Sequence, residues 1–139
     1  MTFSRLVGVC GPLVLMMSVS LSGQQLQPAP GGNAERGRYL VERVAMCGEC
    51  HSTRDQAGSI VAGTRFNGGP MVVRPPWSID WPNAFPRIAG LPGYTDEQAM
   101  RLLTQGAIKR DGTQLRLPMP RFRMNPEDAA AVIAFLRTQ

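Results

Sequence analysis

Cys47-Gly48-Glu49-Cys50-His51 is the stretch on which the reading of this chain turns. Two thiols three positions apart, followed at once by the only histidine of the chain, form the Cys-x-x-Cys-His pattern of covalent c-type haem attachment. Each thiol can add to a vinyl group of the macrocycle, and the adjacent imidazole reaches the iron from one face. Cys47 and Cys50 are therefore the expected anchors, and His51 the expected proximal ligand. Two other chemistries use paired cysteines. A structural zinc takes about four N/S ligands, and outside this cluster the chain supplies only Cys10, in a segment expected to be removed. A thioredoxin-like dithiol needs no histidine after the motif and expects a βαβ setting, which the Gly- and Pro-rich sequence downstream does not supply.

The N-terminus bears on where such a haem would be attached. Arg5 makes a minimal positive region, residues 6–21 are mostly apolar, and Ser20 and Ser22 are small enough for cleavage before Gly23. The apolar run falls short of the ~20 residues of a membrane span, and Gly11-Pro12 interrupts it. Residues 1–22 are thus expected to be a cleaved signal peptide, with an uncleaved anchor as the alternative. Val9 is a poor lipidation context for Cys10, which lies too early for a lipoprotein. Export matches c-type attachment, which is completed outside the cytoplasm, so a bacterial periplasm or the outer face of a membrane is the expected location. Residues 23–32, rich in Gln, Pro and Gly, read as a flexible leader.

Residues 33–139 are left as one small domain, whose single core a large prosthetic group would help to fill. No internal repeat is visible, which points to one haem. The formal net charge is +5, but the arginines are scattered, so nucleic-acid binding has little support. A basic surface favours an acidic partner face or anionic lipid, through steering that salt weakens.

Helical patterning occurs three times. From Asn33 to Cys47, the positions Ala34, Leu40, Val41, Val44 and Ala45 are spaced as one apolar stripe, with Asn33 as N-cap and Glu35 in the first turn. Gly37 inside this helix costs about 1 kcal/mol relative to Ala, and close approach to the last helix would account for it. A second helix is expected over residues 96–105, with Thr95 and Gln98 as a capping box, Ala99, Met100, Leu102 and Leu103 as its apolar face, and Gly106 at its end. The third opens with Asn125-Pro126-Glu127-Asp128 and buries Val132, Ile133, Phe135 and Leu136.

Between His51 and Tyr94 the chain is dense in Gly and Pro, including Gly68-Gly69-Pro70 and Pro75-Pro76. Loops this long are uncommon inside a small domain. Backbone wrapped around a flat apolar macrocycle resolves the difficulty, with Phe66, Trp77, Trp81, Phe85 and Ile88 as candidates for packing on it or for ordinary core. Either indole N–H could donate to a propionate.

A sixth iron ligand is expected from Leu117-Pro118-Met119-Pro120, where prolines on both sides of Met119 restrict the backbone that presents the thioether. Rivals are Met124, Met71, Met46 and Met100. Met46 adjoins the first anchor and cannot easily reach the far side, whereas Met100 lies on an apolar helix face.

Asn33 to His51, Pro118-Met119-Pro120 and Asp128 to Arg137 resemble the first helix, Met loop and last helix of class I c-type cytochromes. The closer similarity is to bacterial single-domain cytochromes, and cytochrome domains of multihaem subunits, that serve periplasmic dehydrogenases. Gly37-Arg38-Tyr39-Leu40, Phe66-Asn67-Gly68-Gly69 and Pro82-Asn83 stand in the order that family has them, and Phe135 replaces a Tyr in its closing run. Where the family often continues Pro-Asn into Thr-Pro, this chain has Ala84-Phe85-Pro86. The resemblance implies an all-α class I cytochrome c fold: three or more helices and long irregular loops around one covalently bound haem c. It also implies Met119 as distal ligand, and a proline carbonyl that orients the proximal imidazole, for which Pro70 is the candidate.

Ligation by His51 and Met119 favours reduced iron and leaves no open coordination position. The expected function is periplasmic transfer of single electrons between redox partners, from a dehydrogenase or quinol-oxidising donor to a cytochrome or oxidase acceptor, without bond chemistry of its own. Membrane contact would be peripheral or through the uncleaved signal. An obligate subunit of a dehydrogenase would do the same chemistry in another setting. The alternative is a haem enzyme or gas sensor in which the sixth ligand is absent or displaceable.

Overall fold

Asn33 starts the first helix by accepting the backbone N–H groups of Glu35 and Arg36 on its side chain, each at 3.0 Å. The computed structural model describes residues 33–72, 74, 76–77 and 80–139; the expected signal peptide, leader and Cys10 lie outside them. Helix α1 covers Ala34–Tyr39 and continues into a π-helical turn over Leu40–Val44, closed by an Ala45 N–H bond to the Leu40 carbonyl at 2.7 Å. The short α2 (Cys47–Cys50) follows, then a two-residue pair of strands, β1 (Gly69–Pro70) and β2 (Ala84–Phe85), then α3 (Asp96–Thr104) and α4 (Pro126–Arg137). Among the described residues the regular structure is therefore mainly helical, with one minimal antiparallel sheet. No helix among them is long and apolar enough to cross a membrane.

The first helix departs from expectation. A continuous α-helix from Asn33 to Cys47 would carry one apolar stripe, but the extra residue in the π turn resets its phase. Gly37, Leu40 and Val41 are buried, whereas Ala34 and Val44 are exposed. Met46 then adopts a left-handed conformation (φ 49°, ψ 43°) that ends the run and starts α2 in a new direction. Leu40 and Val41 are 5% and 0% exposed, so this element is held by tertiary packing more than by propensity.

The other two helices follow the sequence closely. Thr95 and Gln98 cap α3 reciprocally, Oγ1 accepting the Gln98 N–H at 3.2 Å and Oε1 accepting the Thr95 N–H at 3.0 Å. Asn125 caps α4 by accepting the Asp128 N–H at 2.7 Å, with Pro126 at the first helical position. Val132, Ile133, Phe135 and Leu136 are all buried. The core joins them to Leu40, Val41, Phe66, Ala99 and Leu103.

Two contacts fix how these elements meet. A Cβ on Gly37 would fall 1.9 Å from the Ala131 carbonyl oxygen and 2.8 Å from the Phe135 Cβ, so α1 and α4 touch backbone to backbone. Close approach is thus the reason for a glycine there. Arg137, near the end of α4, reaches back to the carbonyls of Gly90 (2.6 Å) and Tyr94 (2.6 Å) and to Asp96 at 2.8 Å. One guanidinium thereby ties α4, the start of α3 and the turn before it.

Candidate functional site

His51 is placed by a stack of three backbone segments. Gly68 donates its N–H to the His51 carbonyl at 2.9 Å, and the Gly69–Phe85 and Pro70–Ala84 register brings β2 against β1. Neither glycine has room for a side chain: a Cβ on Gly68 would meet the Phe85 oxygen at 2.6 Å, and one on Gly69 the Ser52 oxygen at 2.7 Å. The two glycines are the filling between Ser52 on one side and Phe85 on the other. Closing that stack sets His51 Nδ1 2.7 Å from the Pro86 carbonyl.

That bond determines the chemistry of the ring. A carbonyl only accepts, so Nδ1 carries the proton and Nε2 keeps its lone pair, the tautomer suited to binding a metal. His51 is 6% exposed, and burial lowers its pKa below the ordinary imidazole value although the Pro86 carbonyl works the other way. Phe85 stands edge-on to the imidazole, with centroids 6.0 Å apart. The orienting carbonyl is not that of Pro70, as the resemblance suggested. Pro70 is exposed and pairs with Ala84, and the strand opposite, continuing into Pro86, supplies the acceptor.

Cys47, Cys50 and His51 line a cavity of about 690 Å³, well inside the ~300–1,000 Å³ typical of cofactor sites. Its remaining walls are largely apolar: Phe85, Ile88 and Leu91 from the irregular segment, Leu102 and Leu103 from α3, Val132 and Leu136 from α4. Met119 lines the same cavity although 68 positions separate it from His51 in the chain. Of the rival methionines, Met46 is at the cavity beside Cys47, while Met71, Met100 and Met124 do not line it. Met100 and Met124 pack against the core instead. Pro118 and Pro120 line the cavity on either side of Met119, and the Leu117–Pro118 peptide is cis.

Cys47 and Cys50 form no disulfide with each other, Cys50 being exposed and Cys47 half-buried. Burial pushes the Cys47 thiol up to about 11, the opposite of the depressed pKa that activates a redox dithiol. Among the described residues no three His, Cys, Asp or Glu side chains gather as a metal-binding group, and Cys10 lies outside them. The donor set, two thiols, one imidazole and one methionine sulfur on a largely apolar cavity, fits a flat apolar macrocycle.

The five aromatic and aliphatic candidates divide. Phe85 and Ile88 line the cavity. Phe66, 1% exposed, belongs to the core, edge-on to Phe135 at 6.0 Å; its N–H bonds Ser52 Oγ at 3.1 Å, and its carbonyl accepts from Ile88 and Ala89. Trp77 is 85% exposed and does not line the cavity, and Trp81 borders a smaller pocket beside it. Sequence reasoning missed Pro86, Ser52 and Arg137. Pro86 had a partial signal, standing where the family's run is altered, whereas a serine after the motif and an arginine near the C-terminus are unremarkable until their partners are seen. No family model matches this chain, and no curated protein is significantly similar to it.

Proposed function

We propose that this protein carries one covalently attached haem c on a class I cytochrome c fold and works as an exported, periplasmic one-electron carrier. The observation that carries the proposal is one apolar cavity lined both by Cys47, Cys50 and His51 of the motif and by Met119. Cys47 and Cys50 would anchor the haem, each through a thioether link to one of its vinyl groups. His51 offers Nε2 as proximal ligand, and the Pro86 carbonyl holds the ring in the required tautomer. Met119 would hold the iron through its thioether, from a backbone restricted by Pro118 and Pro120.

When bound, the haem supplies reversible one-electron redox chemistry. The protein tunes it: imidazole plus thioether raises the potential, and walls such as Leu102, Val132 and Leu136 keep water away. The residual basic charge steers encounters with an acidic redox partner, and such encounters are small and transient. Donors of the dehydrogenase or quinol-oxidising class and acceptors of the cytochrome or oxidase class suit this chemistry.

Material matured in a host able to attach haem c tests the reading. A low-spin spectrum whose haem remains with the polypeptide under denaturing conditions is expected. Met119→Ala is expected to lower the midpoint potential and abolish the methionine–iron charge-transfer band while the covalent links persist. An unchanged spectrum in that variant would remove Met119 from the iron, and a high-spin wild-type protein that binds carbon monoxide rapidly would favour a sensor or enzyme instead.

A further inference from the structure

Residues 107–115 form a hairpin along one wall of the cavity. The chain enters it shortly after α3 through two consecutive left-handed residues, Gly106 (φ 86°) and Ala107 (φ 66°), and returns to the same place, where the Leu115 N–H donates to the Ala107 carbonyl at 2.8 Å. Its base is well held: the Gly106 N–H donates to the Phe122 carbonyl at 2.9 Å, and Ala107 is fully buried. Nearer the tip the Lys109 N–H donates to the Thr113 carbonyl at 2.7 Å, and Asp111 accepts the Thr113 N–H and hydroxyl. Lys109, Arg110 and Leu115 line the cavity, and the same wall runs on through Arg116 and Pro118 to Met119.

The tip lacks the support given to the base. Among the described residues the core reaches Tyr94, Leu102 and Phe122 but no side chain between positions 108 and 121, and residues 110–114 are exposed. Arg110 alone ties the tip to the turn before α3, which lines the cavity with Leu91, Pro92 and Tyr94. Its Nη1–H donates to the Gly93 carbonyl at 2.7 Å, and its guanidinium lies over the Tyr94 ring, 5.3 Å from the centroid. Gly93 admits it only for want of a side chain, since a Cβ there would fall 2.7 Å from that same Nη1. A segment bonded mainly to itself, off the core and tied by one exposed side chain, opens at far less cost than the fold unfolds. We infer that residues 107–115 are a strap on the cavity and that Arg110 is its latch. Released from Gly93 and Tyr94, the tip swings out about Gly106 and Ala107 and admits small molecules; latched, it keeps them from His51 and Met119. The latch is a property of the chain alone, whereas its shielding of an iron rests on the function proposed above.

Two measurements on the protein as purified test this. In hydrogen exchange read by mass spectrometry, Arg110→Gln is expected to speed exchange of the peptide spanning residues 107–115 about tenfold, through loss of one cation–π contact and one hydrogen bond from a charged donor. The α4 peptide keeps its rate, because Arg110 is exposed and its loss leaves the core intact. Arg110→Lys, which keeps the charge without the flat stacking face, falls between, and Arg101→Gln, an exposed change on α3, alters neither peptide. The second measurement is the rate at which added imidazole binds the oxidised haem protein in a Met119→Ala background, where no thioether competes; Arg110→Gln is expected to raise it by a similar factor. A colourless preparation would sink the haem reading alone. There, alkylation of Cys47 by iodoacetamide, located by peptide mapping, replaces imidazole and is expected to quicken likewise. Unchanged exchange over residues 107–115 in Arg110→Gln would overturn the latch, and faster exchange without faster imidazole binding or alkylation would overturn its guarding of the cavity.

Discussion

Gly37 shows how little freedom single positions have in this molecule. Any side chain there collides with the Ala131 carbonyl, which belongs to the hydrogen-bonded interior of α4 and cannot swing aside. Gly37→Ala is expected to destabilise the fold by about 3 kcal/mol, the upper part of the range for overpacking, read as a lowered denaturant midpoint. This residue was legible in the sequence because a glycine amid a helical pattern needs a packing reason. The Pro86 carbonyl was not. Its role depends on the Ser52–Gly69–Phe85 stacking order, and its one signal in the chain, the altered run Ala84-Phe85-Pro86, says nothing of where its carbonyl points. The sequence singles out Met119 for a third reason: flanking prolines constrain a backbone whatever surrounds it.

Among the elements, α3 and α4 could be read to within a residue, since their caps act through neighbours in sequence. The π turn could not. It answers to the fit of Leu40 and Val41 against α4, a tertiary demand that overrides the regular spacing on which the longer helix was expected. Arg137 is likewise a tertiary device, joining α4 to three other backbone sites. Arg137→Ala is expected to cost about 2 kcal/mol, in the range for hydrogen bonds made by a charged group, with Asp96→Asn costing less; thermal melts of the two variants check the order. Acid response belongs to this scale as well. The Thr113 hydroxyl and N–H hold Asp111 below the usual carboxylate range, and backbone and Thr95 hydrogen bonds do the same for Glu97 at the start of α3. With folded pKa values below the unfolded ones, the unfolded chain takes up protons first as pH falls. Their contribution is thus complete above about pH 5 and is lost as pH drops below ~4. Melting temperature measured from pH 7 to pH 3 should fall on the acid side, and less steeply in Asp111→Asn.

For the whole molecule, the sequence indicated a helical domain with helices at both ends and an irregular middle, and the described residues have that arrangement. What it could not indicate is which side chains border the cavity and which the core. Phe66 and Trp77 were equal candidates by composition, and only the path of the loop separates a buried residue from one nearly fully exposed. The backbone contact at Gly37 has a mechanical consequence of its own. Because the two terminal helices clasp each other directly, everything between them behaves as one closed loop, and the entropic cost of that closure grows only slowly with length. A single cut beside the exposed Trp77 by chymotrypsin should therefore leave pieces that still travel together on a sizing column and part only in denaturant. If the nicked halves separated under native conditions, the clasp would be weaker than its geometry implies.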